Sequence, residues 1–187
     1  MDAAAGLNYL HTRSPAVVHG DVRTVLHLLH NVQISRDGTA CICNFDFGPL
    51  HRHDMGMDTS FYIAPATRRW ASPETASTGM RSIEADVYSF GFFMWELYSG
   101  HPPFPRLPGP ELAVTLRHGV RPDRPPSLEN DELWDLIWAC WSRGPRRRPT
   151  MAQVHDRLRA IGEARTVTPG PLDTPSPPGP SGTVSTA

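Results

Sequence analysis

Apolar positions along the chain fall into a series of short periodic segments around one run that has almost no polar face. Ala3, Leu7 and Leu10 recur at helical spacing before the stop His11-Thr12-Arg13-Ser14-Pro15. Residues Ile34 to Phe45 alternate about Arg36-Asp37-Gly38-Thr39, which predicts two strands joined by a turn. Glu111 to His118 predicts a short amphipathic helix ended by Gly119, and the rigid connector Arg121-Pro122-Asp123-Arg124-Pro125 follows. Leu133, Leu136, Ile137, Cys140 and Trp141 then sit at i, i+3, i+4, i+7 and i+8, the signature of a helix with one buried face. The last helix opens on the capping box Thr150-x-x-Gln153 and buries Met151, Val154, Leu158 and Ile161.

The exception is Asp86 to Tyr98, where Glu96 is the only charge after Asp86. Val87, Phe90, Gly91, Met94, Trp95 and Tyr98 occupy one stripe, and Phe92, Phe93 and Leu97 cover the other side. A helix apolar on all sides belongs in the middle of a domain. The run is too short to cross a bilayer, so no membrane association is expected.

Composition narrows the setting. Lys+Arg 18 against Asp+Glu 19 gives a formal charge of -1, with no general pull toward nucleic acid; Arg146-Arg147-Arg148 is a local basic run only. Cys41, Cys43 and Cys140 cannot close a disulfide framework and suit a reducing compartment, so a cytoplasmic or nuclear location is expected. Cys41 and Cys43 alternate along a predicted strand and are expected to be small core residues. The His27, His30, His51 and His53 group has no partner half with sulfur spacing, and zinc is not expected. Residues 166–187 are dominated by Pro, Gly, Ser and Thr and are expected to be a disordered tail, which leaves 1–165 as the folded part.

The string S-x-E-x-DVYSFG-x-x-x-WEL followed by Ser99-Gly100-His101-Pro102-Pro103-Phe104 resembles the central helix of the protein kinase C-lobe, in its tyrosine-kinase-like branch. The resemblance continues through four further stretches. Val17-Val18-His19-Gly20-Asp21-Val22-Arg23, a short apolar strand running into a loop, is similar to the catalytic loop H-R-D-L-K-x-x-N. Ala66-Thr67-Arg68-Arg69-Trp70-Ala71-Ser72-Pro73-Glu74 is similar to G-T-x-R-W-M-A-P-E. The closing helices resemble C-W-x-x-x-P-x-x-R-P-T-x-x-x-V, and Ala3 to His11 resembles the last half of the long helix before the catalytic loop. The likeness covers about residues 3 to 161.

This resemblance implies an α+β, mainly helical fold: a kinase-like C-lobe with small β-hairpins, lacking the N-terminal β lobe. It implies Asp21 as the base that takes the substrate hydroxyl proton, with Arg23 beside the transferring phosphate. Thr67 would shape the substrate groove, and Asn31 and Asp46 would hold metal. Structural roles are implied for His19, for Asp86 holding the catalytic-loop backbone, and for Glu74 paired with Arg148. Gly20 stands where the motif has arginine, so no phosphate switch through that residue is expected.

Two departures stand out. The family places asparagine five residues after the aspartate, but position 26 is Leu and the next asparagine is Asn31, as if Leu26-His27-Leu28-Leu29-His30 were inserted. The D-F-G motif has two registers: thirteen residues from Asn31 lands on Asn44-Phe45-Asp46, and a two-residue lengthening lands on Asp46-Phe47-Gly48, with Asp46 favoured as the carboxylate. No G-x-G-x-x-G and no lysine in a V-A-I-K-like strand occur. The implied function is ATP- and Mg2+-dependent phosphoryl transfer to protein Ser/Thr, with this chain expected to be inactive by itself. The alternative is a pseudokinase-like module that binds a protein partner and transfers nothing.

Overall fold

The computed structural model describes residues 1–23, 31–44 and 68–166. Helix α1 (Asp2–His11) carries an acid in its first turn and a histidine in its last, each suited to the nearby end of the helix dipole, and buries Ala3, Ala4, Leu7 and Leu10. Strands β1 (Val32–Ile34) and β2 (Ala40–Ile42) pair antiparallel, with Val32 opposite Ile42 and Ile34 opposite Ala40. A two-stranded ribbon is marginal alone. It leans on α1, where a Cβ added to Gly6 would lie 3.2 Å from Ile42 Cγ1. Cys41 and Cys43 are not core residues: Cys41 is exposed and Cys43 half-buried, because only one face of the ribbon meets α1 and Cys41 points away from it. Nor do Val17 and Val18 form a strand; Val17 N–H donates to the Leu10 carbonyl, folding this stretch back on the end of α1.

A 3-10 turn at Arg68–Trp70 precedes α2 (Pro73–Thr78), which Ser72 caps at its start and Gly79 ends in a left-handed conformation. Helix α3 (Ile83–Ser99) is the rod predicted from the apolar run, but it starts earlier. Ser82 Oγ accepts from Ala85 N–H, so Asp86 lies inside the first turn instead of at the boundary. Burial is also not complete: Leu97 is 63 % exposed and Tyr98 half-buried, so the last turn emerges from the core.

Helices α4 (Gly109–Arg117), α5 (Asp131–Cys140) and α6 (Met151–Thr166), with a second 3-10 turn at Pro145–Arg147, complete the described fold. The capping box forms as the pattern predicts: Thr150 N–H donates to Gln153 Oε1 and Gln153 N–H to Thr150 Oγ1. Helix α5 approaches α3 very closely at Gly91, where any Cβ would lie 2.8 Å from Trp141 Nε1. That approach lets the Trp141 ring reach Phe92 at 4.8 Å between centroids. One core runs through α1, α3, α5 and α6, with two strands as its only sheet among the described residues. No helix there is long and apolar enough to cross a membrane.

Arg148 joins three parts of this lobe. Its Nη1 and Nη2 donate to the two carboxylate oxygens of Glu74 at 2.5 and 2.9 Å, Nη1 also to the Glu84 carbonyl, and Nε to the Ser142 carbonyl. The guanidinium is fully buried and every donor used has a fixed acceptor, the arrangement in which removing one partner is most costly. Burial works to raise the Glu74 carboxyl, but the hydrogen bonds from Arg148, with help from Ser72, outweigh it and hold the group below the usual carboxylate range. The stability it contributes is therefore complete above the unfolded carboxyl's titration and is lost as the pH falls through the folded value. Arg148→Ala is expected to lower the unfolding free energy by about 3–5 kcal/mol in urea titration. Glu74→Gln is expected to flatten the acid limb of the stability curve; an Arg148→Ala variant as stable as the parent would contradict the clamp.

Candidate active site

The loop from His19 to Arg23 is shaped by a carboxylate that comes from α3. Asp86 Oδ2 accepts from His19 N–H at 2.8 Å and Oδ1 from Gly20 N–H at 2.8 Å, while His11 Nε2 at the end of α1 lies 2.9 Å from Oδ2. Asp86 is 2 % exposed. A buried charge of this kind is tolerable because two backbone amides, an imidazole and the positive end of α3 all face it. The side chain of His19 points the other way and is fully buried. Its Nε2 lies 3.2 Å from the Cys43 carbonyl and its Nδ1 accepts from Asp21 N–H at 3.2 Å. Those two contacts require the neutral tautomer with the proton on Nε2. Burial is the main influence and lowers the His19 imidazole, against the opposing pull of Asp86 and Asp21.

Asp21 is held on both oxygens. Arg23 Nε donates to Oδ1 at 2.9 Å, and Asn31 Nδ2 donates to Oδ2 at 2.7 Å and to the Asp21 carbonyl at 2.5 Å. Arg23 and Asn31 are both buried, and the Arg23 guanidinium lies 5.9 Å from the Trp70 ring centre. Asn31 is ten positions beyond Asp21 and still meets it, so the extra residues do not separate the two groups. Each carboxylate oxygen keeps a lone pair, and the Asp21 side chain is 17 % exposed.

A divalent cation would meet a weak donor set among the described residues. Asn44 Nδ2 lies 3.5 Å from Asn31 Oδ1, bringing a second amide beside the first in the register that counts thirteen residues from Asn31. Asn44 adopts φ 58, a left-handed conformation that asparagine tolerates better than most residues. Amide oxygens are neutral, and a hard dication such as Mg2+ favours carboxylates. Asn31 and Asn44 therefore do not make a metal site without a further acid. Asp46 and Thr67 lie outside the described residues.

The contacts of His11, Trp70 and Arg69 are not readable from the sequence, although Arg69 and Trp70 lie within the stretch similar to G-T-x-R-W-M-A-P-E. His11 is the third partner of Asp86, and its only signal is a polar residue ending an apolar helix. Trp70 Nε1 donates to Glu96 Oε2 at 2.8 Å, and the Trp70 carbonyl accepts from Ser89 Oγ at 2.9 Å. Glu96, the lone charge in the apolar rod, is buried to anchor the stretch before α2. Arg69 reaches the carbonyls of Pro103, Phe104 and Leu107, tying the same stretch to the loop between α3 and α4.

The family model for protein tyrosine and serine/threonine kinases matches residues 1–158. The chain is 30 % identical over 163 residues to the probable serine/threonine-protein kinase drkC of Dictyostelium discoideum, covering 86 % of this chain and 21 % of that protein. It is 31 % identical over 160 residues to the serine/threonine-protein kinase CTR1 of Arabidopsis thaliana, covering 86 % and 18 %. It is 29 % identical over 162 residues to the tyrosine-protein kinase Fer of Rattus norvegicus, again covering 86 % and 18 %. The chain thus spans about a fifth of the length of these curated relatives.

The buried neutral His19 has a measurable consequence. Because the unfolded chain takes up this proton near the ordinary value of 6.5 and the folded chain only lower, stability is complete above that pH and declines as the pH falls through it. Unfolding titrations at pH 7.5 and pH 5.5 are expected to show that decline, and His19→Gln to reduce it. A His19→Gln variant with the parent's pH dependence would contradict the assignment.

Proposed function

The chain belongs to the protein tyrosine and serine/threonine kinase family, and on that premise we propose that it forms the part of a serine/threonine protein kinase that holds the catalytic base and faces the protein substrate. The contact between Asn31 and Asp21 carries this reading, because it unites the base with its asparagine partner across ten positions of chain. A substrate hydroxyl approaching Asp21 would pass its proton to the carboxylate as phosphoryl transfer proceeds. Arg23 and Asn31 hold that carboxylate in one orientation, and orientation is most of what a protein supplies to this reaction. Arg23, two positions after the base, favours Ser/Thr over Tyr as the acceptor. ATP would supply the phosphoryl group, with Mg2+ to neutralise its charge. Asp46 is our choice for the carboxylate that Asn31 and Asn44 lack, and Thr67 for the residue shaping the substrate groove.

Transfer also needs a cation on the phosphates and a loop over them. The 187 residues contain no lysine at all and no G-x-G-x-x-G, so this stretch provides neither group in its usual form. We therefore place nucleotide capture outside these residues and read the chain alone as inactive. The pseudokinase-like alternative has one observation in its favour: the neutral Asn44 beside Asn31, where an active enzyme needs an acid.

Purified chain is expected to show no thermal shift with Mg-ATP and no phosphate transfer to casein. ATP-dependent transfer abolished by Asp21→Asn would overturn the inactive reading. A longer polypeptide that supplies a glycine-rich loop and strand lysine ahead of residue 1 is expected to phosphorylate Ser or Thr in an Asp21-dependent manner. Binding of a protein partner with no transfer by that polypeptide would favour the module instead.

A further inference from the structure

Gly20 sits between His19 and Asp21 at φ 76, and its N–H is bound to Asp86 Oδ1. The space where a side chain would begin is already filled. A Cβ at position 20 would lie 3.0 Å from both Cδ and Nη1 of Arg81 and 3.6 Å from its Cζ. Arg81 belongs to the turn between α2 and α3, and its backbone is fixed on both sides. The Met80 carbonyl accepts from Thr75 Oγ1 at 2.8 Å, and Ser82 caps α3.

We infer that Arg81 is a further positioning residue of the catalytic loop, laying its guanidinium over Gly20 so that its charge offsets those of Asp21 and Asp86. The inference rests on the proposed role of Asp21 as the base. Two carboxylates flank the Gly20 peptide, one on the loop and one on α3, and a cation lying over that peptide offsets their repulsion. Arg81 is half-buried, so burial opposes its charge while Asp21 and then Asp86 favour it. His11 and Arg23 serve the outer sides: His11 faces Asp86, and Arg23 faces Asp21. Glycine at position 20 is what makes this possible. Any side chain there would meet the arginine, and an L-residue would also pay for its positive φ.

The test is amide hydrogen exchange by NMR on the 187-residue chain, comparing Arg81→Ala, Arg81→Met and Arg81→Lys with the parent. Arg81→Met keeps most of the packed stem and removes the charge, so it remains informative if Arg81→Ala fails to fold. Exchange at the Gly20 and Asp21 amides is expected to quicken about tenfold in both neutral variants and to return to near the parent rate in Arg81→Lys, while Phe92 and Leu136 in the core stay unchanged. Unchanged exchange at Gly20 and Asp21 in both neutral variants would overturn the inference. Quickening in Arg81→Ala but not in Arg81→Met would also overturn it, since Arg81 would then act through packing alone. Exchange requires no nucleotide and no turnover, so the answer does not depend on whether the chain transfers phosphate. If a transferring longer polypeptide keeps its activity with Asp21→Asn, the proposed function fails while the exchange result stands.

Discussion

A single carboxylate, that of Asp86, joins the buried rod to the loop from His19 to Arg23. Its cost is desolvation of a full charge at 2 % exposure, and its compensation is four-sided: two backbone amides, His11 and the first turn of α3. Both amides belong to consecutive loop residues, so the carboxylate sets the direction of the chain as it enters Asp21. Asp21, the proposed base, then has two further contacts, Arg23 on one oxygen and Asn31 on the other. A loop whose backbone is held from beneath in this way can present a polar side chain at the surface without depending on that side chain for its own stability.

The rest of the lobe keeps the rod in place. Gly91 admits Trp141, Phe92 packs on the same ring, and Arg148 ties α2, the start of α3 and the segment before α6 through Glu74, Glu84 and Ser142. Trp70 and Arg69 extend the same logic to the stretch before α2, one bound to a buried acid on α3 and the other to carbonyls beyond its end. Most of these polar contacts connect loops to helices, while His11 and Asp86 join two helices directly and the remaining helix contacts are largely apolar.

Much of this was legible in the sequence where local pattern and burial agree. An apolar run with a single internal charge marks the rod, Thr150-x-x-Gln153 marks a helix start, and the alternation from Ile34 to Phe45 marks a hairpin. The misjudged details share a cause, since periodicity states which residues share a face but not how much of that face is covered. Cys41 alternates correctly and is exposed because α1 covers only one side of the ribbon; Leu97 lies on the rod but beyond its packed length. Spacing was equally blind to the closeness of Asn31 and Asp21, because a separation of ten positions fixes a contour length and not a distance in space. His11, Glu96 and Arg81 act through contacts between distant parts of the chain and leave no local signature.

Asp86 organises the loop from His19 to Arg23. The most direct test is the proton chemical shift of the His19 and Gly20 amides in the chain and in Asp86→Asn, read from assigned proton-nitrogen spectra. Amides bound to a buried carboxylate should lie well downfield and move upfield together in the variant, with the Asp21 amide following and the core of α5 unmoved. If the two amides keep their shifts when the charge is removed, Asp86 does not hold the loop and the account fails.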